Sequence, residues 1–379
     1  PARVQDRPPP DGPGPLAGVG QGREGGTELW LPPSVGAAGP GRRRPIFYNG
    51  AMALDRDLSV AVANVLARRH GAHRTSGWEM LAATGVRSLR VLKESELFGS
   101  LLLTESNPAA YPVLAANVEL AGAGRAKALH QDARRAPPGG PFDFIDLDPY
   151  GSPAPFLETA MGSAGEGSFL AVTATDLRVL AGADPDACAR RYGAHPIRGR
   201  LGPESGLRIL VAWLALAAHA RGRALQPRLG YVHGHYLRVL AEFTGAAGPA
   251  LPIERIDPKT FPGPQLPGAG PYGPMWTGPL LDPQFVEALA VPPKAARPQA
   301  LAQLLARFAG EAKVTSLFYF ESNELARSLS LPSPPAVEPL IGRLRENGWR
   351  AARTHVRPGA FRTDAPRTEV ERLARLAPG

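Results

Sequence analysis

From Phe47 to about Thr244, short apolar runs alternate with longer stretches of helical periodicity. The runs at 78–83, 100–104, 127–130, 142–147 and 168–173 predict strands, because each is short, largely apolar and bounded by turn-forming or charged residues. The stretches around them, 58–69, 86–94, 108–120 and 153–161, predict helices. Such alternation implies an α/β fold, a parallel sheet with helices on both faces. A longer apolar run from Leu207 to Ala220, broken by Arg208, falls short of the ~20 residues that cross a bilayer and predicts a buried helix. Two extended segments follow at 228–233 and 236–243. Gly234-His235 alone separates them, which predicts an antiparallel hairpin at the end of the sheet.

The flanks read differently. The first forty-odd residues are dense in Pro and Gly, as in Pro8-Pro9-Pro10 and Gly12-Pro13-Gly14, and predict a loosely ordered or surface-covering segment. A second Pro/Gly-rich stretch, 245–283, predicts a linker or an irregular cap. Beyond it, helical patterns at 297–308, 324–328 and 336–347 surround extended pieces at 315–319 and 350–355. They predict a smaller α+β domain of winged-helix type. The expected organisation is a Pro/Gly segment at 1–45, an α/β domain at 46–245 and a C-terminal domain at 246–379.

Composition narrows the partners. Hydrophobic residues make up 44% of the chain, enough for a sizeable core. The formal net charge is +9 and the isoelectric point is near 10.0, which favours a polyanion, nucleic acid first. Residues 1–45 hold six Arg and four acids, a balance of 6 − 4 = +2, so most of the positive charge belongs to the body. Cys188 is the single cysteine, which excludes a disulfide framework and a zinc–cysteine cluster within the chain. With no secretory pattern at the N-terminus and no membrane span, a cytoplasmic location is expected. No metal is expected. The oligomeric state is not written in the sequence, and a monomer is the working expectation.

The chemistry lies at the strand ends. The first strand runs into Leu81-Ala82-Ala83-Thr84-Gly85-Val86-Arg87-Ser88, where small residues let the backbone turn sharply and approach a ligand. The turn lacks the G-x-G-x-x-G pattern of dinucleotide enzymes. The next strand ends in Thr104-Glu105-Ser106-Asn107, where an acid can accept hydrogen bonds from both hydroxyls of a ribose. The third ends in Gln131-Asp132-Ala133, where Asp132 can accept from an adenine amine. Each acid alone fits a solvated loop. The ordered set of Gly turn, Glu105 and Asp132 points to S-adenosylmethionine.

The fourth strand opens onto Asp146-Leu147-Asp148-Pro149-Tyr150-Gly151. Methyltransferases acting on amines carry an Asp/Asn-Pro-x-aromatic turn at this place. The exocyclic nitrogen of a base is a poor nucleophile, because its lone pair is delocalised into the ring. An acceptor against its N–H sharpens that lone pair and takes the proton as the methyl arrives. Asp148 can be that acceptor, while Asp146, inside the strand, more naturally supports the turn. Pro149 stiffens the turn. Tyr150 can stack on a base drawn out of its helix, worth ~1–3 kcal/mol against an unstacking cost of a few kcal/mol.

These segments resemble the tRNA (guanine-N2)-dimethyltransferase family, whose members act on guanine 26. The similarity runs through Phe47-Tyr48-Asn49, Arg56-Asp57-Leu58-Ser59, the Gly85 turn, the Asp148 motif and Val172-Thr173-Ala174-Thr175-Asp176. It continues through Tyr192-Gly193-Ala194, His235-Tyr236-Leu237-Arg238-Val239 and Gly273-Pro274-Met275-Trp276-Thr277-Gly278. Arg353-Thr354-His355 and Arg362-Thr363-Asp364-Ala365-Pro366 close it. The resemblance implies a Rossmann-like class I methyltransferase sheet and a tRNA-binding C-terminal domain. It implies cofactor contacts at Arg56, Arg87, Glu105, Asp132 and Ala133, with Arg56 forking onto the cofactor carboxylate. It implies catalysis at Asp148 with Pro149, and aromatic walls at Phe47 and Tyr150 for a flipped guanine. A neighbouring guanine is a further candidate target. Arg343, Arg345, Arg350, Arg353 and Arg362 are candidate RNA contacts.

The sequence also departs from the family. Asp55 and Gly50 stand where many members have Asn and Pro, and four cysteines that many relatives carry after the hairpin are absent. Two other readings stay open. One is an amino methyltransferase for DNA adenine or protein glutamine, although those enzymes usually carry Asn-Pro-Pro-Tyr. The other is a catalytically dead RNA-binding scaffold, against which the acids at 105, 132 and 148 argue.

Overall fold

The computed structural model describes residues 18–33 and 46–376. The loose segment expected over 1–45 therefore lies outside the described residues at 1–17 and 34–45. Over 18–33 the chain is ordered, so of the two expected alternatives the loose one does not hold there. Gly20–Glu24 (β1) and Thr27–Leu31 (β2) pair antiparallel, with Glu24 opposite Thr27. Leu29 and Glu24 of this hairpin are buried. Composition could not show this, because the partners that pin the hairpin lie far along the chain.

Helix α1 (Ala53–His70) starts with Asp55 in its first turn and ends in Arg68, Arg69 and His70, charges that complement the helix dipole. After it, β3 (Thr75–Glu79), α2 (Val86–Glu94), β4 (Phe98–Glu105), α3 (Tyr111–Ala121) and β5 (Ala126–His130) alternate as the pattern predicts. So do β6 (Phe142–Leu147), α4 (Leu157–Ser163) and β7 (Ala164–Ala174). Helices α5 (Leu177–Leu180), α6 (Pro185–Tyr192) and α7 (Gly202–His219) lead to the hairpin of β8 (Arg223–His233) and β9 (Tyr236–Ala246).

Seven strands form one sheet in the order β5-β4-β3-β6-β7-β9-β8. Neighbours among β5, β4, β3 and β6 are parallel, and β8 and β9 are antiparallel. Trp78, Leu103, Ile145 and Val172 are fully buried, as strands covered on both faces require. The chain leaves β3 through β4 and β5 on one side, then lays β6 against the other. Open α/β sheets bind ligands at such a reversal, outside the carboxyl ends of the strands.

The Pro/Gly-rich interval, expected to be a linker or an irregular cap, contains a further antiparallel pair, β10 (Ile253–Ile256) with β11 (Tyr272–Trp276). Helices α8 (Pro283–Glu287) and α9 (Pro298–Glu311) follow. Then come β12 (Phe320–Glu321), α10 (Ser322–Leu329), α11 (Val337–Glu346), β13 (Ala351–Arg353), β14 (Ala360–Thr363) and α12 (Arg367–Arg375). This is the small α+β element expected, with a sheet ordered β12-β14-β13. The strand expected at 315–319 falls instead at Phe320, because Phe320 registers with Phe361 and the two rings stack at 5.8 Å between centroids. Leu340, Leu344, Phe361 and Val370 are fully buried around that pair, each contributing roughly 1.5–3 kcal/mol.

The chain divides into two compact units. One is Pro1–Pro149, Pro155–Ala171 and Ala288–Gln303, and the other is Tyr150–Ala154, Val172–Glu287 and Leu304–Gly379. The second unit contains a buried charge cluster. Glu204 of α7 accepts from Arg208 at 2.8 Å and from Arg362 at 2.7 Å. Glu311 of α9 accepts from Arg362, from the Thr354 hydroxyl at 2.9 Å and from His355 Nδ1 at 2.6 Å. Burial alone would raise the pKa of Glu204, but Arg362 and Arg208 outweigh it and hold the carboxyl below its ordinary value. Arg362 is thereby corrected as an RNA contact: it is buried and committed to Glu204 and Glu311.

Candidate active site

Glu105, Asp132 and Asp148 lie at or just beyond the carboxyl ends of β4, β5 and β6. The loop after β3 has two left-handed residues, Ala83 at φ 49° and Gly85 at φ 74°. The φ of Gly85 strains any side chain, and a Cβ there would come within 2.7 Å of Leu114 Cδ1 on α3, so the turn favours glycine. Asn117 of α3, fully buried, donates to the Thr84 carbonyl at 2.8 Å and to the Trp30 carbonyl at 2.9 Å. It also accepts from the Trp30 N–H at 2.6 Å. One amide thus ties the loop to the N-terminal hairpin.

Glu105 accepts from the Ala83 N–H at 2.8 Å and from the Asn107 N–H at 2.7 Å. Its carboxylate is held in place with lone pairs remaining for a diol. Asp132, one strand further, pairs with Arg134 at 2.5 Å. Hydrogen bonds from that guanidinium hold Asp132 at about 2, so it is an acceptor at neutral pH. Ala133 is buried behind it. The buried Thr84 hydroxyl has no hydrogen-bond partner among the described residues. An orphaned polar atom in a left-handed loop, with fixed acids on the next two strands, fits a cofactor carrying a ribose and an adenine amine. Among the described residues no group of three or more His, Cys, Asp or Glu could hold a metal ion.

Asp148 follows β6 and is not alone. Arg87, from the first turn of α2, reaches Asp148 Oδ2 at 2.6 Å, Asp55 Oδ2 at 2.5 Å and the Ser59 hydroxyl at 2.9 Å. Its Nε lies 3.8 Å from Asp146. Burial pulls the Arg87 pKa down, but Asp55, Asp148 and Asp146 overcome that and hold it well above its ordinary value. Glu79 stands opposite Asp146 in the register of β3 and β6. Burial, with the Asp146 charge beside it, pushes Glu79 up to about 8, so at neutral pH it is mostly the neutral acid. Its Oε2 has no hydrogen-bond partner among the described residues. The Arg87, Asp55 and Asp146 side chains are almost wholly buried, whereas that of Asp148 is 21% exposed. Asp148 is the member of the cluster that an incoming group can reach.

Arg56 lies elsewhere in the design. Its guanidinium forks onto Glu24 of β1, with Nε and Nη2 each 2.5 Å from a carboxylate oxygen. In this structure the fork expected for a cofactor carboxylate engages Glu24 of the hairpin. Arg90 joins Glu24 at 3.0 Å to Asp57 at 2.6 Å, and Tyr48 donates to Glu24 at 2.9 Å. Burial and the Glu24 charge push the Tyr48 hydroxyl up to about 12.

Phe47 and Tyr150 are 36% and 50% exposed, large rings open to solvent. Pro149 joins Asp148 to Tyr150, and Gly151 follows at φ 96°. The sequence reading missed Glu24, Asp55, Ser59, Glu79 and Asn117 as site residues. Asp55 was visible as a departure from a pattern, and Glu79 as a carboxyl in an apolar run. Nothing local marked Asn117 or Glu24.

A mostly parallel sheet with a turn for a ligand at its switch point and an Asp-Pro-Tyr motif after β6 defines a class I S-adenosylmethionine-dependent methyltransferase. The family model for N2,N2-dimethylguanosine tRNA methyltransferase matches residues 39–249 and 268–375, and the chain belongs to that family. A tRNA (guanine(26)-N(2))-dimethyltransferase of Thermococcus kodakarensis is 35% identical over 359 residues, 85% of this chain and 91% of the relative. One from Pyrobaculum arsenaticum is 32% identical over 365 residues, 93% of this chain and 98% of the relative. The solved complex of Trm1 from Pyrococcus horikoshii with S-adenosyl-L-methionine aligns with a TM-score of 0.78 at 31% identity, over 93% of this chain and 99% of that one.

Proposed function

We propose that the chain transfers methyl groups from S-adenosylmethionine to the exocyclic N2 of guanine 26 in tRNA, with the base drawn out of its stack. One observation carries the reading: Asp148 presents a fixed and partly exposed carboxylate just beyond β6, with Arg87 on Oδ2 at 2.6 Å. Oδ2 receives Arg87, which leaves Oδ1 to accept the N2–H of the guanine. The proton that N2 loses on methylation would pass to Asp148, and the N–H bonding pair would stay on nitrogen as its lone pair, conjugated with the ring. Pro149 stiffens the turn, and Phe47 and Tyr150 serve as aromatic walls for the base.

Glu105 would hold the ribose hydroxyls, and Asp132 with Ala133 the adenine. When bound, S-adenosylmethionine supplies an electrophilic methyl carbon and a neutral thioether leaving group. The protein's part is alignment of nitrogen, methyl and sulfur, which can supply up to ~7–11 kcal/mol. Residues 246–379 would add contacts to phosphate and ribose of the folded tRNA. Arg350 and Arg353, 62% and 41% exposed, are candidates. The enzyme would work in the cytoplasm as a monomer.

The test is methyl transfer from labelled cofactor to total tRNA, DNA and protein, followed by mass spectrometry of the nucleosides. Label confined to tRNA as N2-methylated guanosine supports the reading. Label in DNA or protein instead overturns it. Asp148→Ala abolishes transfer while cofactor binding persists. Full activity in that variant would remove Asp148 from the mechanism.

A further inference from the structure

We propose that Thr175, Asp176 and Tyr192 are positioning residues that lock the turn carrying Tyr150, and so set how tightly the flipped base is held. The inference rests on Tyr150 being a wall for that base.

Tyr150 is half exposed, and the backbone just after it should be soft. Gly151 adopts φ 96° with open space where a side chain would stand. With that φ and no side chain, Gly151 would let the backbone after Tyr150 turn unless something held it. The structure holds it twice. The Gly151 N–H donates to the Thr175 hydroxyl at 2.6 Å, and the Thr175 N–H donates back to the Gly151 carbonyl at 2.9 Å. Both polar groups of the soft residue are thus engaged by one threonine at the end of β7.

A second tether holds Ser152. Its hydroxyl lies 2.7 Å from that of Tyr192, which donates its one proton to Asp176 at 2.9 Å. Ser152 is therefore the donor to Tyr192, and the chain of hydrogen bonds has a fixed direction. Arg191 caps it, donating to Asp176 at 2.7 Å. The Tyr192 ring is buried against Trp213, edge to face, with centroids 5.2 Å apart. Burial and the Asp176 charge push the Tyr192 phenol above its ordinary value, so it stays a donor throughout the working pH range. The strand supplying Thr175 is itself anchored: Arg238 of β9, buried, donates to the Thr173 hydroxyl at 2.6 Å.

Three segments that resemble the family but had no chemical task thereby acquire one. Thr173 to Asp176, Tyr192 and Arg238 form a single brace behind Tyr150. A preset ring realises its stacking energy without first losing conformational freedom. A loose ring must spend part of that energy on ordering itself.

The experiment uses the full chain with tRNA transcript and S-adenosylmethionine. Thr175→Val keeps the shape and deletes the hydroxyl, and Tyr192→Phe deletes the phenol. Each is expected to raise KM for tRNA roughly five- to twentyfold, the scale of one lost buried hydrogen bond, with the cofactor Kd unchanged. Thr175→Ser, which keeps the hydroxyl, restores the KM. Tyr150→Ala is the control for the underlying reading: an unchanged KM there means Tyr150 is no wall, and the inference falls with it. If Tyr150→Ala raises KM, the double variant Tyr150→Ala with Thr175→Val should raise it no further, because Thr175 acts through the ring. Additive losses, or Thr175→Val and Tyr192→Phe variants that melt earlier with unchanged KM, would overturn the brace and leave a purely structural role.

Discussion

Arg87 Nη2 lies 2.6 Å from Asp148 Oδ2, while Nη1 of the same guanidinium lies 2.5 Å from Asp55. The proposed base is thus fixed through a cation that is itself fixed by a second carboxylate. Lysine cannot bridge two acids with one planar group. Arg87→Lys should fold but lose about 10²-fold in kcat, the cost of a misplacement near 1 Å. Arg87→Met should instead destabilise by about 3–5 kcal/mol, because Asp55 and Asp146 are left buried without their cation. Single-turnover rates and urea denaturation separate the two effects. A Lys variant with wild-type kcat would show that the bridge is dispensable.

Glu79 makes stability depend on pH. Its folded-state pKa of about 8 stands above the ordinary 4.5. The groups facing it are Asp146 and Asp148 near the end of β6 and Arg87 and Ser88 from α2. The folded chain binds this proton more tightly than the unfolded chain does. The contribution is therefore fully present below about 4.5, declines as pH rises and is gone above about 8. Glu79→Gln removes the dependence. The variant should match the wild type at pH 4 and exceed it at pH 9 by up to roughly 4 kcal/mol. Denaturation at the two pH values measures the difference, and parallel curves would contradict it.

The Glu24–Arg56 fork predicts that the N-terminal hairpin is part of the folded unit. Glu24→Ala strands Arg56, while Arg90 keeps Asp57 and Glu94, and should lower stability by about 3–5 kcal/mol. Arg56→Lys should lower the melting temperature yet leave the Kd for S-adenosylmethionine within roughly threefold, under 1 kcal/mol. Calorimetry decides the matter. A loss of affinity of tenfold or more in a folded Arg56→Lys protein would reinstate the direct cofactor contact that the family resemblance implies.

The arginines of the C-terminal region should sort by burial. Arg362→Ala removes the cation between Glu204 and Glu311, and should cost about 3–5 kcal/mol of stability. Arg350→Ala and Arg353→Ala touch exposed pairs and should leave the melting temperature nearly unchanged. Each of the latter should lower the slope of log K for tRNA against log salt by about 1. Binding titrations at several salt concentrations provide the comparison, and unaltered slopes would exclude these two residues from the RNA surface.

Much of this was legible beforehand. The apolar runs placed β4, β5 and β6 within two residues of their observed ends, and α2 at its observed bounds. The runs were readable because strands buried on both faces need continuous apolar side chains. Glu105, Asp132 and Asp148 stood out because each follows such a run. The hairpin at 20–31 was not legible, since Pro and Gly counts report local freedom and not a buried partner. Nor was β11 inside a stretch that reads as linker. Arg56, Arg87 and Arg362 look alike in the sequence, although one braces a hairpin, one clamps the proposed base and one joins two helices to a strand.

By itself, then, the sequence determined the order of strands and helices, the place of the ligand turn and the acids at the strand ends. These follow from periodicity and from neighbours a few residues away. Tertiary structure alone decided which acid each arginine meets. Arg56 finds Glu24 across 32 residues, Arg87 finds Asp148 across 61, and Arg362 finds Glu204 across 158. A buried charge must find its counter-charge wherever the fold brings one, and no local pattern records that pairing.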